Sequence, residues 1–229
     1  MNYKQKNGFS LTEVLLSIGI LSVGMIFIAG VFPVAIYFTA TATERTIAAV
    51  AADEAFAKIR LYNIEPNIPA NGGMVTFQWG VAPNVIGANE FLYPSTGVNW
   101  FETQYYWSAL CRKTGSSDIQ ITVFVNRKRL VDTPPMLIPV GVSSGTKPDE
   151  ILIANAGGRT YINDGYTVVE NKTGQIYRVL ERYSPPNDNV LKLDRNWQWP
   201  GNGVVWVVPP PVGGGRYPCI AVYQKVIRF

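Results

Sequence analysis

The chain has 229 residues, 47% of them hydrophobic and only 16% charged, against roughly a quarter charged in an average soluble domain. Its net charge of +4 is dispersed, so no basic tail or stripe marks a nucleic-acid surface. Histidine is absent, which removes the commonest general base and metal ligand and makes a Ser-His-Asp or Cys-His constellation impossible.

Residues 1–8 read MNYKQKNG: short, polar, and basic through Lys4 and Lys6. Residues 9–43 then carry no charge except Glu13. As a helix, 14–38 would reach roughly 37 Å, enough to cross a ~30 Å hydrocarbon core. Lys4 and Lys6 precede this stretch and Glu44 follows it, so the positive-inside rule puts the N-terminus in the cytoplasm and exports everything beyond about residue 43. Ala40-Thr41-Ala42 offers a small-residue cleavage site, but a secretory signal has an apolar region of only ~7–15 residues. A plain anchor fits the length and leaves Glu13 unexplained, because an intramembrane carboxylate costs a few kcal/mol unless it is neutralised.

The run Gly8-Phe9-Ser10-Leu11-Thr12-Glu13-Val14-Leu15-Leu16 closely resembles the type IV prepilin processing motif. The resemblance covers residues 1 to about 60. It implies cleavage between Gly8 and Phe9 by a prepilin peptidase, N-methylation of Phe9, and pairing of Glu13 with the terminal amine of a neighbouring subunit. Buried singly, carboxylate and ammonium are each expensive; side by side they offset each other. Such a pair is directional, so it sets axial register as one buried polar residue does in a coiled coil. Pro33 falls a few residues beyond the place where many members carry a helix-kinking proline, and it is expected to bend the helix. Gly19, Gly24 and Gly30 are either further weak points or ordinary transmembrane composition.

Past the apolar run the helix is expected to continue, spanning 9–62 in all. Ala49, Ala52, Phe56 and Ile59 make an apolar stripe, Glu54 and Lys58 an i,i+4 pair, and Asn63, Pro66 and Pro69 end it. The head then divides into a hairpin-containing lobe over 63–132, a proline-rich linker over 133–149 and an antiparallel β lobe over 150–229. Within the first lobe, 104–112 and 119–126 flank a turn at 114–118. In the last lobe, short strands are predicted at 150–154, 165–170, 175–183, 189–193, 203–208 and 219–229, a spacing that argues for a small sandwich or barrel. The fold class is α+β: a long N-terminal helix carrying a β-rich exported head of antiparallel sheet. Cys111 and Cys219 form a disulfide if the head is exported, or are two unpaired buried hydrophobes.

Chemistry-bearing patterns are weak. Asp149, Glu150 and Glu170 read as turn and solvent-face charges. Asp188 and Asp194 flank a strand without EF-hand spacing, and Gly213-Gly214-Gly215 lacks the lysine and helix of a phosphate loop. Asn171-Lys172-Thr173 matches a glycosylation triplet of little meaning in a bacterial-type export system. Trp197 and Trp199 read as core before ligand surface. No catalytic residue, metal or cofactor is expected. The expected role is a structural subunit, a minor pilin or pseudopilin, since the mature chain is long beside a common major pilin; retention of Glu13 argues against the tip pseudopilin, which in the resembled family typically lacks it. Its partners would be other pilins or pseudopilins, the prepilin peptidase, an inner-membrane platform protein and, before assembly, membrane lipid. The alternative is a membrane-anchored periplasmic binding or adhesin module.

Overall fold

The computed structural model describes residues 8–63, 68, 72–78, 86–95, 103–127, 136–211 and 216–229. Lys4, Lys6, Pro66, Pro69 and Gly213-Gly214-Gly215 lie outside them. The chain forms two compact units, Met1–Arg45 and Thr46–Phe229.

One helix, α1 (Leu11–Leu61), supplies most of the first unit and opens the second. In the first unit its apolar side chains, from Leu11 through Leu21 and Phe27 to Phe38, are exposed. The hydroxyls in this stretch turn inward on their own helix: Ser17 donates to the Glu13 carbonyl, Ser22 to Ile18, Thr39 to Ala35 and Thr41 to Tyr37, all within 2.8–2.9 Å. A hydroxyl bonded this way presents only hydrocarbon to its surroundings, as a lipid environment requires. Pro33 lies inside the helix.

In the second unit α1 buries Ala48, Ala51, Ala52, Ala55, Phe56 and Ile59. The expected stripe is thus broader, and Ala49 sits half-buried at its margin. Lys58 does more than pair with Glu54 at 2.8 Å. Its ammonium also meets the Glu90 carboxylate and carbonyl, each at 2.8 Å, on a 3-10 turn (Ala88–Phe91). Asn63 follows the last turn with φ 46°, the left-handed conformation that asparagine tolerates best after glycine.

Among the described residues the head holds eleven strands: β1 (Val75–Phe77), β2 (Leu92–Tyr93), β3 (Tyr105–Lys113), β4 (Asp118–Arg127), β5 (Ile138–Ser144), β6 (Glu150–Ile153), β7 (Thr167–Glu170), β8 (Ile176–Arg182), β9 (Val190–Leu193), β10 (Gly203–Val207) and β11 (Cys219–Arg228). The first sheet runs β1-β3-β4-β11, with β2 also on β3, and β10-β5-β6-β9-β8-β7 close into a barrel. All pairs are antiparallel. One face of the first sheet packs on the helix through Trp107, Ala109, Ile121, Val123 and Val125. Its other face packs on the barrel wall through Leu110, Phe124, Val169 and Val208. The barrel is filled by Val140, Ile151, Val168, Tyr177, Leu191 and Val205 among others, as a small barrel must be.

Three expectations are corrected here. The presumed linker at 133–149 contains β5. Pro139 pairs with Trp206 of β10, while β6 meets β5 only at Val142–Ser144. Gly141 accepts from Ala154, so odd-numbered residues of β5 aim at the β6 side, and the missing N–H of Pro139 points beyond the end of that ladder. Proline costs nothing in such a place. Second, the 150–229 lobe is not one unit, because β11 leaves the barrel side and joins β4 of the first sheet. Third, Cys111 and Cys219 are free, buried thiols. Cys111 opposes Ile121 and Cys219 opposes Asn126 on β4, which separates them by roughly 17 Å along the strand and ~10 Å across it, beyond the ~7 Å limit for a bridge. They also face different cores.

Candidate assembly site at the N-terminal helix

Gly8 and Phe9 precede α1 in exposed, non-helical chain, with Phe9 85% exposed. The Gly8–Phe9 bond therefore lies in accessible backbone. The helix starts immediately afterwards: the Ser10 carbonyl accepts from the amides of Glu13 (3.0 Å) and Val14 (3.2 Å). Ser10 and Thr12 hydroxyls meet at 2.7 Å. Glu13 is thus in the first turn, where unsatisfied amides and the helix dipole favour a negative charge. Its side chain has no ion pair among the described residues, and apolar side chains surround it from Val14 onward. The arrangement is an anion at the head of an exposed apolar rod.

The other candidates are occupied by structural work. Asp188 is held by Arg159 at 2.8 Å and Arg182 at 3.7 Å, and Asp194 by Arg195 at 2.9 Å and the Arg178 amide at 3.0 Å. Among the described residues no group of three or more His, Cys, Asp or Glu side chains is placed to hold a metal ion. Trp197 packs on Tyr177, ring centroids 5.1 Å apart, against the barrel interior, and Trp199 donates to the Asn202 carbonyl.

Glu150 and Glu170 are not solvent-face charges. Glu150 is buried and takes bonds from Lys147 at 2.9 Å and the Tyr183 hydroxyl at 2.8 Å. Glu170 is 0% exposed and accepts from the Lys172 and Thr173 amides and the Thr173 hydroxyl. The resulting turn, 171–174, is where the barrel is clasped to the first sheet. Arg112 of β3 donates to the Lys172 carbonyl (2.6 Å), the Thr173 carbonyl (2.9 Å) and Gln120 (2.6 Å). Asn171 accepts from the Met74 amide and the Trp206 indole at 2.9 and 2.8 Å. Sequence reading missed Arg112 because it carries no local signal; the carbonyls it bonds lie 60 and 61 positions away.

Geometry and composition define a class: a chain with a long N-terminal helix whose apolar stretch, through residue 43, holds one acid, Glu13, in the first turn. Residues 3–29 match the family described as the prokaryotic N-terminal methylation motif. That match and the long apolar helix fit a type IV prepilin-like protein. Comparison with curated proteins and with solved structures gave no match. The motif points to a structural protein that is membrane-anchored, processed by a prepilin peptidase and assembled with other pilins.

Proposed function

We propose that the chain is a minor pilin or pseudopilin of a type IV pilus or type II secretion pseudopilus. The N-terminus faces the cytoplasm and the β-rich head is exported. Prepilin peptidase cuts between Gly8 and Phe9 and the new Phe9 amine is methylated. The subunit then leaves the lipid by packing α1 against its neighbours, with the platform protein as the assembly partner in the inner membrane. Glu13 pairs with the amine of an adjacent subunit and sets register, while Pro33 bends the helix to fit the bundle.

The observation that carries this reading is the placement of Glu13 in the first helical turn, four residues past the exposed Gly8-Phe9 bond and ahead of an uninterrupted apolar surface. A carboxylate there is costly in lipid and favourable beside an ammonium. Mass spectrometry of the protein extracted from membranes of wild-type cells tests it. The expected N-terminus is methylated Phe9; an intact Met1 in cells with active peptidase would refute the proposal.

A further inference from the structure

Strand β11 is one edge of the first sheet, with no further strand beside it among the described residues. Its hydrogen-bonding parity follows from two bonds at the sheet's end. Phe229 donates to the Ser117 carbonyl, and Thr114 donates to the Asp118 carbonyl. With the register of β4 against β3 and β11, odd residues of β4 bond to odd residues of β11. The amides and carbonyls of Gln224, Val226 and Arg228 therefore point away from the sheet. No bond from these backbone groups is made to any described residue. Residues 224–226 and 228 are exposed, Val226 by 58%. Unpaired edges of this kind template the addition of another strand.

A groove of about 390 Å³ runs beside this edge, between it and the last turns of α1, lined by Asp53, Phe56, Ala57 and Arg60 from the helix and by residues 225–228. The charged groups lining it are three cations (Arg60, Lys225 and Arg228) against Asp53. Asp118 lies 3.8 Å from the Arg228 guanidinium. The Lys225 ammonium lies 5.8 Å from the Phe56 ring centroid. Pairing of β11 with β11 of a second copy would gather Lys225 and Arg228 of both copies along one strand pair, and like charges crowded there repel.

We infer that β11 docks an extended, anionic segment of another protein, which adds to the sheet as a further strand with the carboxylates of its helix-side face against Arg60 and Lys225. Its alternate, apolar side chains lie on the opposite face of the sheet, beside Val226. This rests on the head alone and is independent of the role proposed for the N-terminal helix.

The test uses the full chain in detergent micelles and two blocked heptapeptides, one alternating valine with glutamate and one alternating valine with lysine. Amides of Gln224, Val226 and Arg228 should exchange readily in the free protein. They should slow about tenfold or more with the acidic peptide and be unchanged with the basic one. Val226→Pro removes an outward N–H that serves no internal ladder, so the thermal midpoint should hold while acidic-peptide binding is lost. Charge reversal, Arg60→Glu with Lys225→Glu, should transfer binding to the basic peptide. Protection of these three amides before any peptide is added, failure of the acidic peptide to bind, or binding indifferent to the charge reversal overturns the inference.

Discussion

At the scale of single residues, the buried and exposed ionisable groups separate cleanly in consequence. Glu13 has no intramolecular ion pair among the described residues, so its replacement should leave the head untouched. In an assembled bundle, Glu13→Ala would strand a neighbour's ammonium in hydrocarbon, at a cost of several kcal/mol. At about 1.4 kcal/mol per decade, the fraction of subunit recovered in sheared filaments or in cross-linked complexes should drop tenfold or more. Glu13→Gln, which keeps an acceptor, should fall between. Normal incorporation of Glu13→Ala, with processing intact, would dismiss the register role. The cysteines make the opposite case. Burial raises the Cys111 thiol well above its ordinary value and pushes Cys219 up to about 12. Neither is a competent nucleophile at neutral pH. Maleimide should label neither thiol in the native protein and both after unfolding without reductant. A protein that still refused label when unfolded and unreduced would instead contain the bridge.

At the scale of elements, local pattern carried the reading of which segments form the helix and the strands. The hairpin β3–β4, strands β6 to β10, the extent of α1 and the N-terminal methylation motif were all legible, because turn residues and apolar periodicity mark them directly. What failed was set by pairing across long separations. β5 was read as a linker because its proline count was judged without knowing which edge each N–H would face. β11 was assigned to the C-terminal lobe because a strand's spacing says nothing about which sheet receives it; a Cys111–Cys219 bridge would have drawn it to the hairpin, and it lies there by pairing with β4, its cysteine free. Arg112 was illegible for the same reason, its carbonyl partners lying 60 and 61 positions away, whereas Glu170 bonds its own turn two and three residues on. The turn they build can be tested through its glycine. Gly174 has φ +72°, and an added Cβ would lie 2.6 Å from Gln120 Oε1, an atom pinned by Arg112. Gly174→Ala should therefore cost the ~1–2 kcal/mol of left-handed strain plus about 1 kcal/mol for a disturbed hydrogen bond. Gly165 shares the positive φ in open space, so Gly165→Ala should cost the strain alone. Equal drops in thermal midpoint for the two variants would show that the clasp tolerates displacement.

At the scale of the whole head, two interactions tie layers or barrel strands together and each has a measurable signature. The Lys147 ammonium and then the Tyr183 hydroxyl, both bonded to Glu150, hold that carboxyl below its ordinary value. A depressed carboxyl contributes fully above the unfolded-chain value of roughly 4.3 and loses its contribution as pH falls through the folded value. Lys147 is shifted upward by the same contact, so it stays protonated throughout that range and adds no slope. The thermal midpoint should decline as pH drops from about 5 toward 3, and Glu150→Gln should flatten that decline.

The clasp is the second tie. Arg112 joins β3 to the β7–β8 turn through two carbonyls and Gln120, and Gln224 of β11 adds a bond to the Gly174 carbonyl at 2.7 Å. The apolar contact between the layers is small beside the two cores it separates, so these polar bonds carry much of the coupling. Arg112→Met keeps the stem and removes the guanidinium, leaving the Lys172 and Thr173 carbonyls without that donor. The expected loss is about 2–4 kcal/mol, and it should fall unevenly. In the wild type, hydrogen exchange at Val123 in the sheet and Val168 in the barrel should report one shared opening free energy. In Arg112→Met the barrel amides should open at lower cost than those of the sheet, which retains its helix. If both sites lose protection equally, the head unfolds as one unit through its apolar layers, and the guanidinium only decorates the junction.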